Sequence, residues 1–184
     1  MKKVTLMVLL VSVFVEAQKL DRANFGTLQN IESTDFLVTY TANFSKVAIK
    51  KENAKIIFIN TKSSQTKEVI LPKTTNLRKI ISNIEVNYLG SKFVVLECYS
   101  EVEKTLPKAS NSVNELYLIS LNDFKLVKIS SSNFTIRDWE INNETKKIVF
   151  IEQENGIKDL SGEVQKIMIF DLENGNLNEV FSNN

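Results

Sequence analysis

Lys92-Phe93-Val94-Val95-Leu96-Glu97 and Lys147-Ile148-Val149-Phe150-Ile151-Glu152 repeat one pattern at an offset of 55: lysine, four apolar residues, glutamate. Leu116-Tyr117-Leu118-Ile119-Ser120-Leu121-Asn122 matches Ile167-Met168-Ile169-Phe170-Asp171-Leu172-Glu173 at an offset of 51, the difference lying in the loop between Ser100 and Asn114. Lys55 to Thr61 (KIIFINT) is the same element a third time. Each is followed by a polar turn and a short amphipathic run: EVIL, KLVKI or NLNEVF. Internal repetition of this kind points to stacked copies of one supersecondary unit.

The repeated runs are short, rich in β-branched and aromatic residues, and bounded by Asn, Ser, Asp, Glu and Gly, so they read as strands. Twelve such strands are expected: Asp35–Thr41, Ser45–Lys50, Lys55–Thr61, Glu68–Leu71, Ile80–Tyr88, Lys92–Tyr99, Glu115–Leu121, Lys125–Ile129, Thr135–Ile141, Lys147–Glu152, Gln165–Leu172 and Asn176–Phe181. They group into three four-strand units over 34–72, 77–130 and 133–181, giving an all-β domain over 34–184. An antiparallel unit whose two central strands are almost wholly apolar cannot bury both faces alone. Stacking the units face to face covers them, so the expected architecture is a propeller-like stack.

Ile136-Arg137-Asp138-Trp139, Asn143 to Phe150 and Lys166 to Gly175 together resemble one blade of the WD40-like repeats of TolB-type β-propellers. Such blades place a Trp on the inner strand, then a polar turn, a Lys-led apolar strand, and an apolar strand ending Asp-Leu before a Gly turn. The resemblance covers the last unit well, the middle one moderately and the first weakly. The usual Ser-Pro-Asp-Gly turn is absent; Asn142-Asn143-Glu144-Thr145 stands in its place. Only three units are present, whereas propellers have four to eight blades. Three readings of that shortage stay open: a fragment of a larger β-propeller, two copies supplying six units as a homo-oligomer, or an open stack capped by Lys19 to Ile31.

The N-terminus carries an address. Met1-Lys2-Lys3 is a positive n-region, Val4 to Val15 an apolar h-region, and Val15-Glu16-Ala17 a small-residue exit. Residues 1–17 therefore read as a signal peptide, with 18–33 an N-terminal segment of the exported chain. The ending Glu-Ala-Gln resembles signal peptides of the Bacteroidetes group. No later run reaches the roughly 20 apolar residues of a membrane span, so a periplasmic or extracellular product is expected. Cys98 is the one cysteine, which leaves no internal disulfide, and its apolar strand makes a buried thiol the expected state.

Composition removes most chemistry. Without any His, the chain has no His-based acid–base catalysis, Ser-His-Asp triad or ordinary zinc site. It has no Gly-x-Ser-x-Gly elbow, and five scattered Gly make no phosphate loop. Asp171 to Asn176 fails the calcium-loop order because its Gly comes fifth, so it reads as a hairpin turn in which Asn174 and Gly175 both take positive φ. No metal or cofactor is expected. The 23 Lys and Arg balance 22 Asp and Glu and are spread singly, so no nucleic-acid partner is expected either.

The remaining candidates sit on one strand. Asp138 and Glu140 flank Trp139, the two acids sharing a face. The expected role is non-catalytic: an exported binding module whose rim or funnel, by the family resemblance, meets a protein, peptide or glycan partner. The competing role is a carboxylate-dependent enzyme acting on glycans through Asp138 and Glu140.

Overall fold

The computed structural model describes residues 24–42, 53–81, 87–88, 91–101, 112–154 and 164–183. The signal-peptide residues and the expected strand Ser45–Lys50 lie outside them. Among the described residues every regular element is a strand. The strands are β1 (Asn24–Phe25), β2 (Gln29–Asn30), β3 (Phe36–Ala42), β4 (Lys55–Asn60), β5 (Thr66–Ile70), β6 (Thr75–Ile81), β7 (Asn87–Tyr88), β8 (Ser91–Glu101), β9 (Ser112–Ser120), β10 (Leu126–Lys128), β11 (Phe134–Asn142), β12 (Lys147–Glu154), β13 (Gln165–Asp171) and β14 (Leu177–Ser182).

These make three antiparallel sheets that follow one another along the chain. Sheet 1 runs β1-β3-β4-β5, with β2 also on β3; sheet 2 runs β6-β8-β9-β10, with β7 on β8; sheet 3 runs β11-β12-β13-β14. The fold is all-β and propeller-like. Sheet 1 begins at Asn24 rather than at residue 34, because β1 and β2 pair with β3 and supply its inner edge. Gly26 allows that pairing: its N–H donates to Tyr40 O at 2.8 Å, and a Cβ there would fall 1.9 Å from the Tyr40 ring.

Strand alternation separates two cores. Val94, Leu96, Cys98, Tyr117 and Ile119 of sheet 2 face sheet 1 and pack with Val38, Ile56, Phe58 and Val69. Phe93, Val95, Leu116 and Leu118 point the other way and pack with Ile148, Phe150, Met168 and Phe170 of sheet 3. Sheet 2 is thus apolar on both faces, which is why β8 and β9 read as continuous apolar runs. Each fully buried Leu, Ile or Phe contributes about 1.5–3 kcal/mol relative to exposure. Cys98 is a free, fully buried thiol in the first of these cores.

Pairing also corrects the repeat. Val38, Val95 and Val149 occupy one place, opposite Phe58, Leu118 and Ile169. The second strand of the unit therefore repeats at an offset of 54 (Val95 over Val149), not 55, while Leu116 over Ile167 holds at 51. A slip of one residue exchanges faces. Glu97 and Glu152 are accordingly not equivalent. Glu152 points back toward sheet 2, is fully buried, and accepts hydrogen bonds from Ser131 N (2.6 Å) and Ser131 Oγ (2.7 Å). Glu97 points forward, toward sheet 3.

The hairpins between the last two strands of each unit are equivalent. Asn60, Ser120 and Asp171 open them with the bonds Asn60 N to Gln65 O, Ser120 N to Lys125 O and Asp171 N to Asn176 O. Their side chains accept from backbone N–H groups two residues on, at Lys62, Asn122 and Glu173. Each hairpin then needs one left-handed residue at the same position: Ser64 (φ 57°), Phe124 (φ 57°) and Gly175 (φ 75°). Asn174 stays out of that region, since a loop of this length is built on a type I turn ended by a single left-handed residue. Phe124 tolerates the strain because its ring packs edge-on to Phe36 (5.6 Å) and against Phe58 (5.2 Å). Ser64 is exposed and has no such compensation. Ser64→Gly is expected to raise the unfolding free energy by about 0.5–1 kcal/mol, measured by urea denaturation, because glycine occupies the left-handed region without the Cβ clash.

Candidate functional site

The inner-edge strands of sheets 2 and 3 carry the same irregularity. β6 bulges between Leu77 and Lys79, and β11 bulges between Ile136 and Asp138, so Arg78 and Arg137 are the unpaired extra residues. Bulges bend a strand and re-aim side chains. Between the two edges lies a groove of about 450 Å³, lined by Arg78, Lys79, Glu97 and Asn114 from sheet 2 and by residues 136–141 and Asn143 from sheet 3.

All three candidate residues, Asp138, Trp139 and Glu140, line this groove, but they are divided between faces. Trp139 turns toward sheet 2, where its ring packs on the core and its indole Nε1–H donates to Glu97 Oε2 at 3.3 Å. Asp138 and Glu140 are exposed and pair with Ile151 and Val149, on the face turned away from sheet 2. Asp138 Oδ1 also accepts from the backbone N–H of Trp139 at 2.9 Å. Glu97 is the hinge of the site: its other oxygen lies 3.6 Å from Arg78 Nη1, and the Arg78 guanidinium stands 6.0 Å from the Tyr99 ring centroid. Arg137 donates from Nε to Gln153 Oε1.

The floor is fixed by neutral bonds between sheets. Asn114 N donates to Thr135 Oγ1 at 2.9 Å, and Asn114 Nδ2 donates to Ile136 O at 3.3 Å. The result is a polar trough lined by three cationic residues (Arg78, Lys79, Arg137) and the Glu97 carboxylate, with Asp138 and Glu140 at its rim and their side chains on the face turned away from sheet 2. Such a lining suits hydrogen bonding and charge pairing with an extended polar ligand. Among the described residues no group of three or more His, Cys, Asp or Glu is placed to hold a metal ion, and no helix is long and apolar enough to cross a membrane.

Sequence reasoning found the β11 residues and missed Arg78, Glu97 and Arg137. The signal was present: Leu77-Arg78-Lys79 and Ile136-Arg137-Asp138 share an apolar-Arg-charged triplet at the start of units two and three. It becomes visible only with the two bulges aligned.

Fold and groove together define an all-β, propeller-like protein with a polar trough between two inner edges. Among solved structures, the chain is similar to the tricorn protease crystal structure, with a TM-score of 0.51 at 12% identity; the likeness covers 84% of this chain and 13% of that one. At that identity the likeness bears on the fold alone. The chain spans only a small part of the length of the protein it matches. No protein-family model and no curated protein matches the sequence.

Proposed function

We propose that the chain is an exported binding module of the WD40-like, TolB type, without catalytic activity of its own, and that the trough between β6 and β11 receives a peptide segment of a protein partner. The observation that carries this reading is the mixed charge of the trough on a floor pinned by Asn114 and Trp139. An extended peptide offers donors, acceptors and charges of both signs along one line, as the trough does. Because Arg78 and Arg137 interrupt the two edges with bulges, recognition falls to side chains more than to addition of a strand. Residues 1–17 act as the export signal in this reading.

Screening the purified chain on arrays of peptides and glycans tests it. Peptides carrying both Lys or Arg and Asp or Glu should bind, and binding should weaken as salt rises. The double substitution Arg78→Ala with Arg137→Ala should weaken binding at least tenfold while the far-ultraviolet spectrum stays unchanged. Unaltered binding by that variant would remove the trough from the function. Glycan hydrolysis lost on Asp138→Ala would replace the module with the carboxylate enzyme.

A further inference from the structure

The two ends of the sheet stack carry complementary apolar faces. At the forward face of each unit, Val38 and Phe58 in sheet 1 correspond by pairing to Val95 and Leu118 in sheet 2, and to Val149 and Ile169 in sheet 3. The first two pairs are buried under the following sheet. Val149 and Ile169 occupy the same places, yet both remain partly exposed and belong to neither core. Phe181, on the same face opposite Ile167, is 59% exposed. At the other end, the backward face of sheet 1 presents Ile57 and Ile59, equivalent to Tyr117 and Ile119 of sheet 2, which are buried against sheet 1. Ile57 and Ile59 are partly exposed, and Ile70 on that face is 56% exposed.

A surface that repeats the forward side of two internal joints is matched by a surface that repeats their backward side. A second copy of this chain offers both. We propose that two copies close a ring of six sheets about a two-fold axis, with sheet 3 of each copy covering sheet 1 of the other. The count supports two copies. The described residues of one chain supply three sheets; two such sets make six, within the four to eight units that closed propellers accommodate, whereas three sets make nine. Closure about a two-fold makes both new joints identical and covers the end faces of both sheet 1 and sheet 3. The proposal stands independently of the ligand assigned to the trough.

Sedimentation velocity on the purified chain, across a hundredfold concentration range, tests it. The expected mass is twice that of one chain. Ile169→Asp and Ile59→Asp, on opposite ends, should each weaken dimerisation at least tenfold. Phe181→Asp, at a highly exposed position, should do the same with the folded spectrum of Trp139 intact. An equal mixture of the Ile169→Asp and Ile59→Asp chains keeps one undamaged joint, so dimers should partly return. A wild-type monomer at every concentration would overturn the proposal. So would mass that grows without limit, which indicates an open polymer, or a dimer that Ile59→Asp leaves unchanged, which indicates sheet 3 pairing with itself.

Discussion

Phe58→Ala is expected to lower the unfolding free energy by about 3–5 kcal/mol, the range for removing a buried phenylalanine from a packed core. Phe58 is fully buried at the joint between sheets 1 and 2, and it supports the Phe124 ring, which in turn meets Phe36. Truncation therefore opens a cavity and also withdraws the contact that offsets the left-handed backbone at Phe124. With no disulfide to limit the unfolded chain, packing has to supply the stability directly. Urea denaturation followed by Trp139 fluorescence measures the loss. Phe58→Leu, which keeps most of the volume, should cost less than about 1.5 kcal/mol. A loss below about 1 kcal/mol for the alanine variant would show that the two sheets do not meet at Phe58.

The second large effect is expected at Glu115. Its buried carboxylate accepts hydrogen bonds from the Tyr117 hydroxyl at 3.0 Å and from Ser100 Oγ, and it pairs with the Lys128 ammonium. Glu115→Ala leaves a partly buried ammonium and a buried phenol without this partner, at a cost of about 2–3 kcal/mol. Glu115→Gln keeps an acceptor and should cost about half as much. The same cluster sets the alkaline limit of the fold. Burial first, and then the Glu115 charge, push both the Cys98 thiol and the Tyr117 phenol upward. Both folded pKa values thus exceed the ordinary values of about 8.5 and 10. The stability these groups contribute is complete below those values and is lost as pH rises beyond them. Unfolding free energy should therefore fall between about pH 8.5 and 11, and fall less steeply in Glu115→Gln. A flat profile in the wild-type chain would contradict the burial of both groups.

Much of this architecture is legible in the residues, and the rest fails for identifiable reasons. The third strand of each unit repeats without irregularity, so Leu116 over Ile167 gives the correct register from sequence. The second strand misleads because Glu97 and Glu152 follow similar apolar runs by coincidence, and matching them shifts the register by one. Nothing in the residues distinguishes the two until strand pairing shows Glu97 opposite Leu116 and Glu152 opposite Lys166. The inner edge of sheet 1 is unreadable for another reason. Asn24–Phe25 and Gln29–Asn30 are two-residue pieces without periodicity, held by backbone bonds and by Gly26 beside Tyr40. At the site, Trp139 and its flanking acids stand out by composition. Glu97 and the two bulged arginines depend on the relation between sheets, which no single strand records.

Sheet 2 belongs to both cores, whereas sheets 1 and 3 each belong to one. The molecule therefore behaves mechanically as a short chain of coupled links, in which the middle link cannot loosen until one of its neighbours has left. In a single chain, opening is expected to start at sheet 1 or sheet 3, and hydrogen exchange should show the amides of β8 and β9 as the last to exchange with solvent. The trough between β6 and β11 spans one of those links, so a ligand lying across it would also act as a clamp on the joint beneath.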